Sequence, residues 1–181
     1  LCTDEGSAPC GSVAKLPEEH DHLQFQLHAS TVHELVLAVL PRMIERGEGA
    51  ILNVGSAACN MPIAYNATYA GTKAVVNIFS ESLHDELKGY GINVTLLAPG
   101  PVRPSDKPKS EETFLDRMIP AFMWANSDQV AEQSLAALAR NKRRIVPGAI
   151  GKMLNAVGYL PHMITSPINK LSYGALAGDN K

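Results

Sequence analysis

Apolar residues along this chain fall into blocks of two kinds, long ones at helical spacing and short unbroken runs. From Pro17 to Glu45 the spacing is helical, with Leu23, Leu27, Leu35, Leu37, Val39 and Leu40 supplying apolar faces. That set is too broad for one stripe and implies a helix buried on more than one side. Pro17 sits where a first turn begins, and Glu18 and Glu19 suit the positive end of the helix dipole. Pro41 lies inside the pattern and is a candidate kink, since its ring removes a donor and crowds the preceding turn. Gly49 hands over to Ala50-Ile-Leu-Asn-Val-Gly55, a short apolar run that reads as a buried strand. Asn66 to Lys88 is the next helix. Its apolar positions are Val75, Val76, Ile78, Phe79, Leu83 and Leu87, and Gly89 and Gly91 end it. Ile92-Asn-Val-Thr-Leu-Leu-Ala98 is a second buried strand, rich in β-branched residues. Strand, long helix, strand is a βαβ unit. It predicts a right-handed crossover and a parallel sheet covered on both faces, hence an α/β, doubly wound fold.

The flanks are less regular. Residues 3–17 are rich in Gly, Ser and Pro and read as loop. After Pro99, the prolines at 101, 104 and 108 predict an extended or looped path. Ser110 with Glu111 and Glu112 marks a helix start, running to about Met118, and Ser127-Asp128 starts another that reaches Arg140. Arg143 to Val146 reads as a last short strand, and Ala149 to Lys181 as one or two surface helices. No internal repeat or low-complexity tract is present.

With 181 residues, 45% of them hydrophobic, the chain is long enough for one domain with a true core. A net charge of -2 disfavours nucleic-acid binding through a positive field. The uncharged stretch from Met153 to Asn169 holds two prolines, a histidine and two asparagines and does not read as a membrane span. No secretory leader is visible, and Cys2, Cys10 and Cys59 are too few and scattered for a disulfide framework, so the expected compartment is the cytoplasm.

Three side chains carry candidate chemistry. Ser56 follows directly on the first strand, and Tyr69 and Lys73 lie one turn apart on the following helix. Open parallel sheets hold ligands outside the carboxyl ends of their strands, so the three can converge there. A phenol titrates near ~10, and a fixed ammonium beside it lowers that value. Tyr69 thereby becomes a general acid or base, and a serine hydroxyl donating to the same oxygen would stabilise charge building on it. Alone, a Tyr four residues before a Lys more often means a half-buried ring beside a snorkelling stem. Ser56 at the strand end and the turn Ala98-Pro99-Gly100 shift that reading toward function.

Asn53-Val-Gly-Ser56, Tyr69-Ala-Gly-Thr-Lys73 and Ala98-Pro-Gly-Pro-Val102 resemble the short-chain dehydrogenase/reductases over roughly residues 1–103. Gly55-Ser-Ala-Ala, Pro62-Ile-Ala-Tyr-Asn-Ala-Thr-Tyr69, Phe79-Ser-Glu-Ser-Leu83 and Ala139-Arg-Asn-Lys142 with Val146-Pro-Gly148 are similar to the mycolate reductase branch of mycobacteria and corynebacteria. The resemblance implies a Rossmann-like sheet of which this chain holds the C-terminal portion. Residues 1–105 would carry the catalytic helix, and 106–181 the substrate-side helices, last strand and tail of the same domain. It implies a reductase using NADPH (or NADH) on the 3-oxo group of a long-chain, mycolate-like acyl lipid. Tyr69 would protonate the carbonyl oxygen, Lys73 would hold the ribose hydroxyls, and Ser56 would bind the carbonyl. Pro99, Gly100 and Val102 would back the nicotinamide. The family's pairing of its two long helices implies a homo-oligomer through Pro17–Glu45 and Asn66–Lys88.

Departures from the family pattern are specific. The glycine-rich dinucleotide turn is absent from the chain as given, which is expected to begin near the family's fourth strand. Asp4-Glu5-Gly6 stands where the family carries Asn-Ala-Gly, and Pro104 where it carries Thr. His28 stands in place of the helix asparagine that orders a water. It reads either as a proton relay or as an ordinary hydrogen-bonded histidine. These departures sustain an alternative, a truncated or degenerate member that binds no nucleotide and serves a structural or interaction role. His20, His22 and His33 make no metal set, and Cys59 reads as a small filler. Arg140, Lys142, Arg143 and Arg144 read as a solvated helix end, or as a peripheral dock for anionic lipid. Met118, Phe122, Met123 and Trp124 read as an apolar acyl channel or as the core of a small helix.

Overall fold

In the computed structural model, residues 1–3, 13–103 and 124–161 are described, with 163, 165–167 and 170 beyond them. The sheet is organised around β2 (Gly49–Val54) and β3 (Ile92–Leu97), which run parallel from Gly49 opposite Ile92 to Val54 opposite Leu97. β1 (Cys2–Thr3) pairs in parallel with Leu52 and Asn53, and β6 (Arg144–Ile145) with Leu96 and Leu97. The strand order is β1-β2-β3-β6. A separate two-stranded pair joins β4 (Val102–Arg103) to β5 (Ala125–Asn126).

Adjacent residues of a strand point to opposite faces, and each face of β2 has its own core. Ile51 packs with Ile92 and Val94 under Val36 and Met43 of α2 (Thr31–Arg46) and Leu83 of α3 (Ala67–Glu86). Leu52 packs with Leu97 and Val130 of α4 (Ser127–Ala139) on the other side. Helices therefore cover both faces, as a doubly wound sheet requires. α5 (Ala149–Val157) follows β6 and lies against residues 57–60.

Local chemistry explains the boundaries. α2 ends at Gly47, whose φ of 69° is left-handed; its N–H donates to Ile44 O at 3.1 Å and that of Glu48 to Met43 O at 3.2 Å. Asn126, rather than Ser127, caps α4: its Oδ1 accepts from Asp128 N at 2.9 Å and Gln129 N at 3.2 Å. The first long helix is α1 (Glu18–Phe25) joined to α2 through a wide π turn, Gln26–Ser30. Gln26 O accepts the Thr31 N–H and also the Thr31 hydroxyl, at 2.9 Å, which holds the extra residue in the turn. The irregularity falls there and not at Pro41, which sits inside α2 on its exposed side, where water can solvate the carbonyl its ring leaves unpaired.

Three expectations are corrected. Thr3 belongs to a strand, not a loop, because β2 offers it a free edge. Leu23, Leu27, Leu35 and Leu37 are exposed, Leu37 at 52%, so this helix is not buried on several sides by its own chain. Its inward residues are Gln24, His28, Ala29, Val32, Val36 and Met43. Val75 and Ile78 of α3 also face outward, Ile78 at 64% exposure. The segment Ser110–Met118, Asp4-Glu5-Gly6, Cys10 and Pro104 lie outside the described residues.

Ile51 is fully buried at the centre of the larger cluster. Ile51→Ala is expected to lower unfolding free energy by roughly 2–5 kcal/mol, read from the urea midpoint.

Candidate active site

α3 turns a polar stripe toward the sheet. Lys73, Asn77, Ser80 and His84 are all buried and recur every three to four residues along one face. Each meets a group at or below the strand ends. Lys73 Nζ donates to Val54 O at 3.0 Å. Asn77 bonds both peptide groups of Ser56. Ser80 Oγ accepts from Asn53 Nδ2 at 3.0 Å and donates to Val76 O at 2.7 Å. His84 Nδ1 lies 2.7 Å from Val94 O. Water is excluded here, so each unmade bond would leave a buried polar group uncompensated.

Ser56 leaves β2 in an extended conformation and caps the short turn Ala57–Asn60, its Oγ accepting from Ala58 N at 3.3 Å. The hydroxyl also bonds the Cys59 thiol. On the other side of the turn Tyr65, at a φ of 61°, takes the left-handed conformation before α3 begins. Tyr69 is then half-buried in the first turns of that helix.

A cleft of about 480 Å³ opens at the carboxyl ends of β2 and β3. Tyr69, Lys73, Pro99, Gly100 and Val102 all line it, together with Gly55, Leu52, Leu97 and Val130. Five of the residues singled out from the sequence thus share one cavity. Ser56 is buried one residue behind Gly55 rather than in the wall itself, and His28 sits behind Tyr69. The His28 ring is 2% exposed and meets the Tyr69 ring edge-on, centroids 5.9 Å apart. The π turn is what swings this position toward α3.

Cys59 is buried, and burial pushes its thiol from an ordinary 9.0 to about 11 against the pull of the Ser56 hydrogen bond and the Lys73 charge. It is a filler, not a nucleophile. His22 pairs with Glu18 at 3.2 Å and His33 stacks edge-on to Phe79. Among the described residues no three His, Cys, Asp or Glu side chains form a metal-holding group. Arg143 pairs with Asp85 at the surface, whereas Arg144 lies in β6 and pairs with Glu81 at 3.0 Å with its side chain only 12% exposed, so the solvated helix end expected of the basic run does not extend to Arg144. Trp124 lines another cavity, of about 320 Å³, with Asn126, Gln129 and Ile150, which shares Val130 with the Tyr69 cleft, while Met118, Phe122 and Met123 lie outside the described residues.

The residue that sequence reasoning missed is Asn77. Its signal is a polar residue four positions after Lys73, hence on the same helix face, amid residues read as apolar.

A profile of the short chain dehydrogenase family matches residues 7–114. The very-long-chain 3-oxoacyl-CoA reductase of Rattus norvegicus is 37% identical over 146 residues, 80% of this chain and 40% of that protein. A short-chain dehydrogenase from Streptomyces avermitilis superposes with a TM-score of 0.72 at 23% identity, over 100% of this chain and 71% of that one. A gluconate 5-dehydrogenase from Burkholderia cenocepacia J2315, solved with NADP and tartrate, gives 0.67 at 22% identity, over 82% and 62%. At such identities these two likenesses speak for the fold alone. The chain spans well under half the length of the curated relatives it matches.

Native labelling with a thiol reagent near pH 8 is expected to modify the exposed Cys2 and spare Cys59 until the protein unfolds. The raised thiol value also makes stability fall as pH rises from 9.0, where the thiol of the unfolded chain ionises, toward about 11. In a Cys59→Ala variant that alkaline loss shrinks, as thermal melts across pH will read.

Proposed function

The chain belongs to the short-chain dehydrogenase family, and we propose that it carries the catalytic residues of a nicotinamide-dependent reductase acting on the 3-oxo group of a long-chain acyl substrate. The observation carrying this reading is the cleft in which Tyr69 and Lys73 share walls with Pro99, Gly100 and Val102, outside the carboxyl ends of the central strands. Those residues fit a nicotinamide riboside: an apolar wall of Leu52, Leu97, Val102 and Val130 suits the ring, and a buried ammonium suits ribose hydroxyls. When bound, the nucleotide supplies the hydride. NADPH is the proposed form and NADH the alternative, separated by comparing kcat/KM for the two.

Tyr69 gives its phenolic proton to the carbonyl oxygen as negative charge builds there. Lys73 stabilises the phenolate left behind, which makes that proton easier to release. Ser56 Oγ already accepts the Ala58 N–H, so its own proton turns from the Cys59 thiol to the carbonyl oxygen. His28, packed edge-on to the Tyr69 ring, returns a proton between turnovers. The very-long-chain relatives support a long acyl chain. A mycolate-like acyl group is the finer reading and rests on the motif likeness alone. The proposed setting is the cytoplasm, where free thiols such as Cys2 and Cys59 persist; no helix among the described residues is long and apolar enough to cross a membrane.

A second copy of the chain is the proposed cover for the apolar side chains exposed on the long helices, Leu23, Phe25, Leu37, Ile44, Val75 and Ile78. Sedimentation equilibrium is expected to give a dimer or larger, and a monomer at micromolar concentration overturns this.

Nicotinamide fluorescence is expected to rise and saturate when NADPH is titrated into the folded protein. Flat fluorescence overturns the reductase reading in favour of the structural alternative. Tyr69→Phe is expected to lose at least ~10²-fold in kcat with an unchanged circular dichroism spectrum. Retained turnover removes the role given to Tyr69.

A further inference from the structure

We propose that Asn77 is a positioning residue for Ser56, its carboxamide clamping the Ser56 peptide on both sides and thereby setting where the hydroxyl stands. The inference rests on the reductase reading and extends it to a residue outside the cleft wall.

The backbone at the end of β2 explains why a clamp is needed. Gly55 N donates to Leu97 O at 2.8 Å and Ala57 N to Pro99 O at 3.0 Å, which ties this stretch to β3. In an extended strand alternate residues offer their N–H groups to alternate sides, so the Ser56 N–H points away from β3. Among the described residues β1 pairs with Leu52 and Asn53 and does not reach Ser56. Ser56 is nevertheless buried. Its N–H is met by Asn77 Oδ1 at 3.2 Å, and its carbonyl by Asn77 Nδ2 at 2.9 Å. The Cys59 N–H also reaches that carbonyl, at a longer 3.4 Å. A side chain of the helix thus stands in for a neighbouring strand.

Chemistry fixes which way round the carboxamide sits. A peptide N–H only donates and a carbonyl only accepts, so the oxygen must face the first and the nitrogen the second. The second proton of Nδ2 goes to Asn60 Oδ1 at 3.2 Å, and Asn60 Nδ2 in turn donates to Asn155 Oδ1 of α5 at 3.1 Å. Asn77 is 1% exposed, so water offers no substitute. Space is as closely matched as polarity. A Cβ built on Gly55 would lie 1.9 Å from Asn77 Oδ1, so only glycine leaves room for the clamp. Asn77 touches neither the cleft nor the proposed carbonyl, and it acts by holding the Ser56 backbone. A hydroxyl displaced by about 1 Å from its proton-donating position lowers turnover roughly 10²-fold.

The test compares Asn77→Ala and Asn77→Asp in the full-length protein. Asn77→Asp keeps the shape and, as the neutral acid that so buried a site favours, the acceptor for the Ser56 N–H and one of the two donors. Three quantities are read: amide hydrogen exchange at Ser56, the NADPH Kd by fluorescence, and kcat per folded molecule with a 3-oxoacyl substrate. Asn77→Ala is expected to speed Ser56 exchange and lower kcat by about 10²-fold, with the NADPH Kd within about twofold. Asn77→Asp is expected to recover part of both. If Asn77→Ala does not fold, the isosteric Asn77→Asp carries the same comparison against the unsubstituted protein. Turnover within about threefold of the unsubstituted protein overturns the positioning role while the reductase reading stands. A proportional loss of NADPH binding also overturns it, because that is the mark of a general structural defect. If the unsubstituted protein turns over no 3-oxoacyl substrate, the reductase reading fails on its own. Ser56 exchange then still decides the clamp, and unchanged protection in both variants ends it.

Discussion

The buried polar stripe of α3 is the constraint on which the rest of this structure depends. Four side chains that prefer water are held out of it, and each must find its complement on or beside the sheet. Lys73 finds Val54 O, Asn77 the Ser56 peptide, Ser80 the Asn53 amide and His84 the Val94 carbonyl. An apolar helix face slides on an apolar sheet at small cost, because dispersion contacts are non-directional. Hydrogen bonds are directional and weaken steeply once the donor angle falls below about 120°. The stripe therefore fixes both the rotation of α3 and its position along β2.

That fixing is what brings Tyr69 and Lys73 to the mouth of the sheet. Tyr69 lies one turn before Lys73, so once Lys73 is bound to the last strand carbonyl the phenol must project past the strand end. The π turn does the equivalent work on the neighbouring helix. Its extra residue rotates α2 relative to α1, and His28 meets the Tyr69 ring. The cleft thus combines an apolar wall from strands and α4 with a polar floor from α3, suited to a ligand with a flat ring and hydroxyl groups.

Much of this was legible beforehand. The runs Ala50–Gly55 and Ile92–Ala98 became β2 and β3 within a residue of their expected ends, since unbroken apolar β-branched runs have few other ways to be buried. Asn66–Lys88 became α3, and Arg143–Val146 yielded the two-residue β6. Ser56, Tyr69 and Lys73 were legible as types at a spacing. Illegible were the outward turn of Leu23, Leu37, Val75 and Ile78, the pairing of Thr3, and the partner of Asn77. Apolar side chains were assumed to face in, and here the inward positions of both long helices hold His28, Lys73, Asn77, Ser80 and His84 beside Val36, Met43, Val76 and Leu83.

By itself the sequence determined the periods, and with them which residues share a strand or a helix face: 51 with 53, 73 with 77 and 84. It also determined the reactive types at the end of the first strand and the start of the helix after it. Only the tertiary structure decided which face of each helix turns to the sheet, and so which polar group meets which. Periodicity is a property of one element, whereas the choice of face depends on the donors and acceptors another element presents. Asn77 and Ser56 are far apart in sequence, and nothing in either segment states that the carboxamide of one matches the peptide of the other.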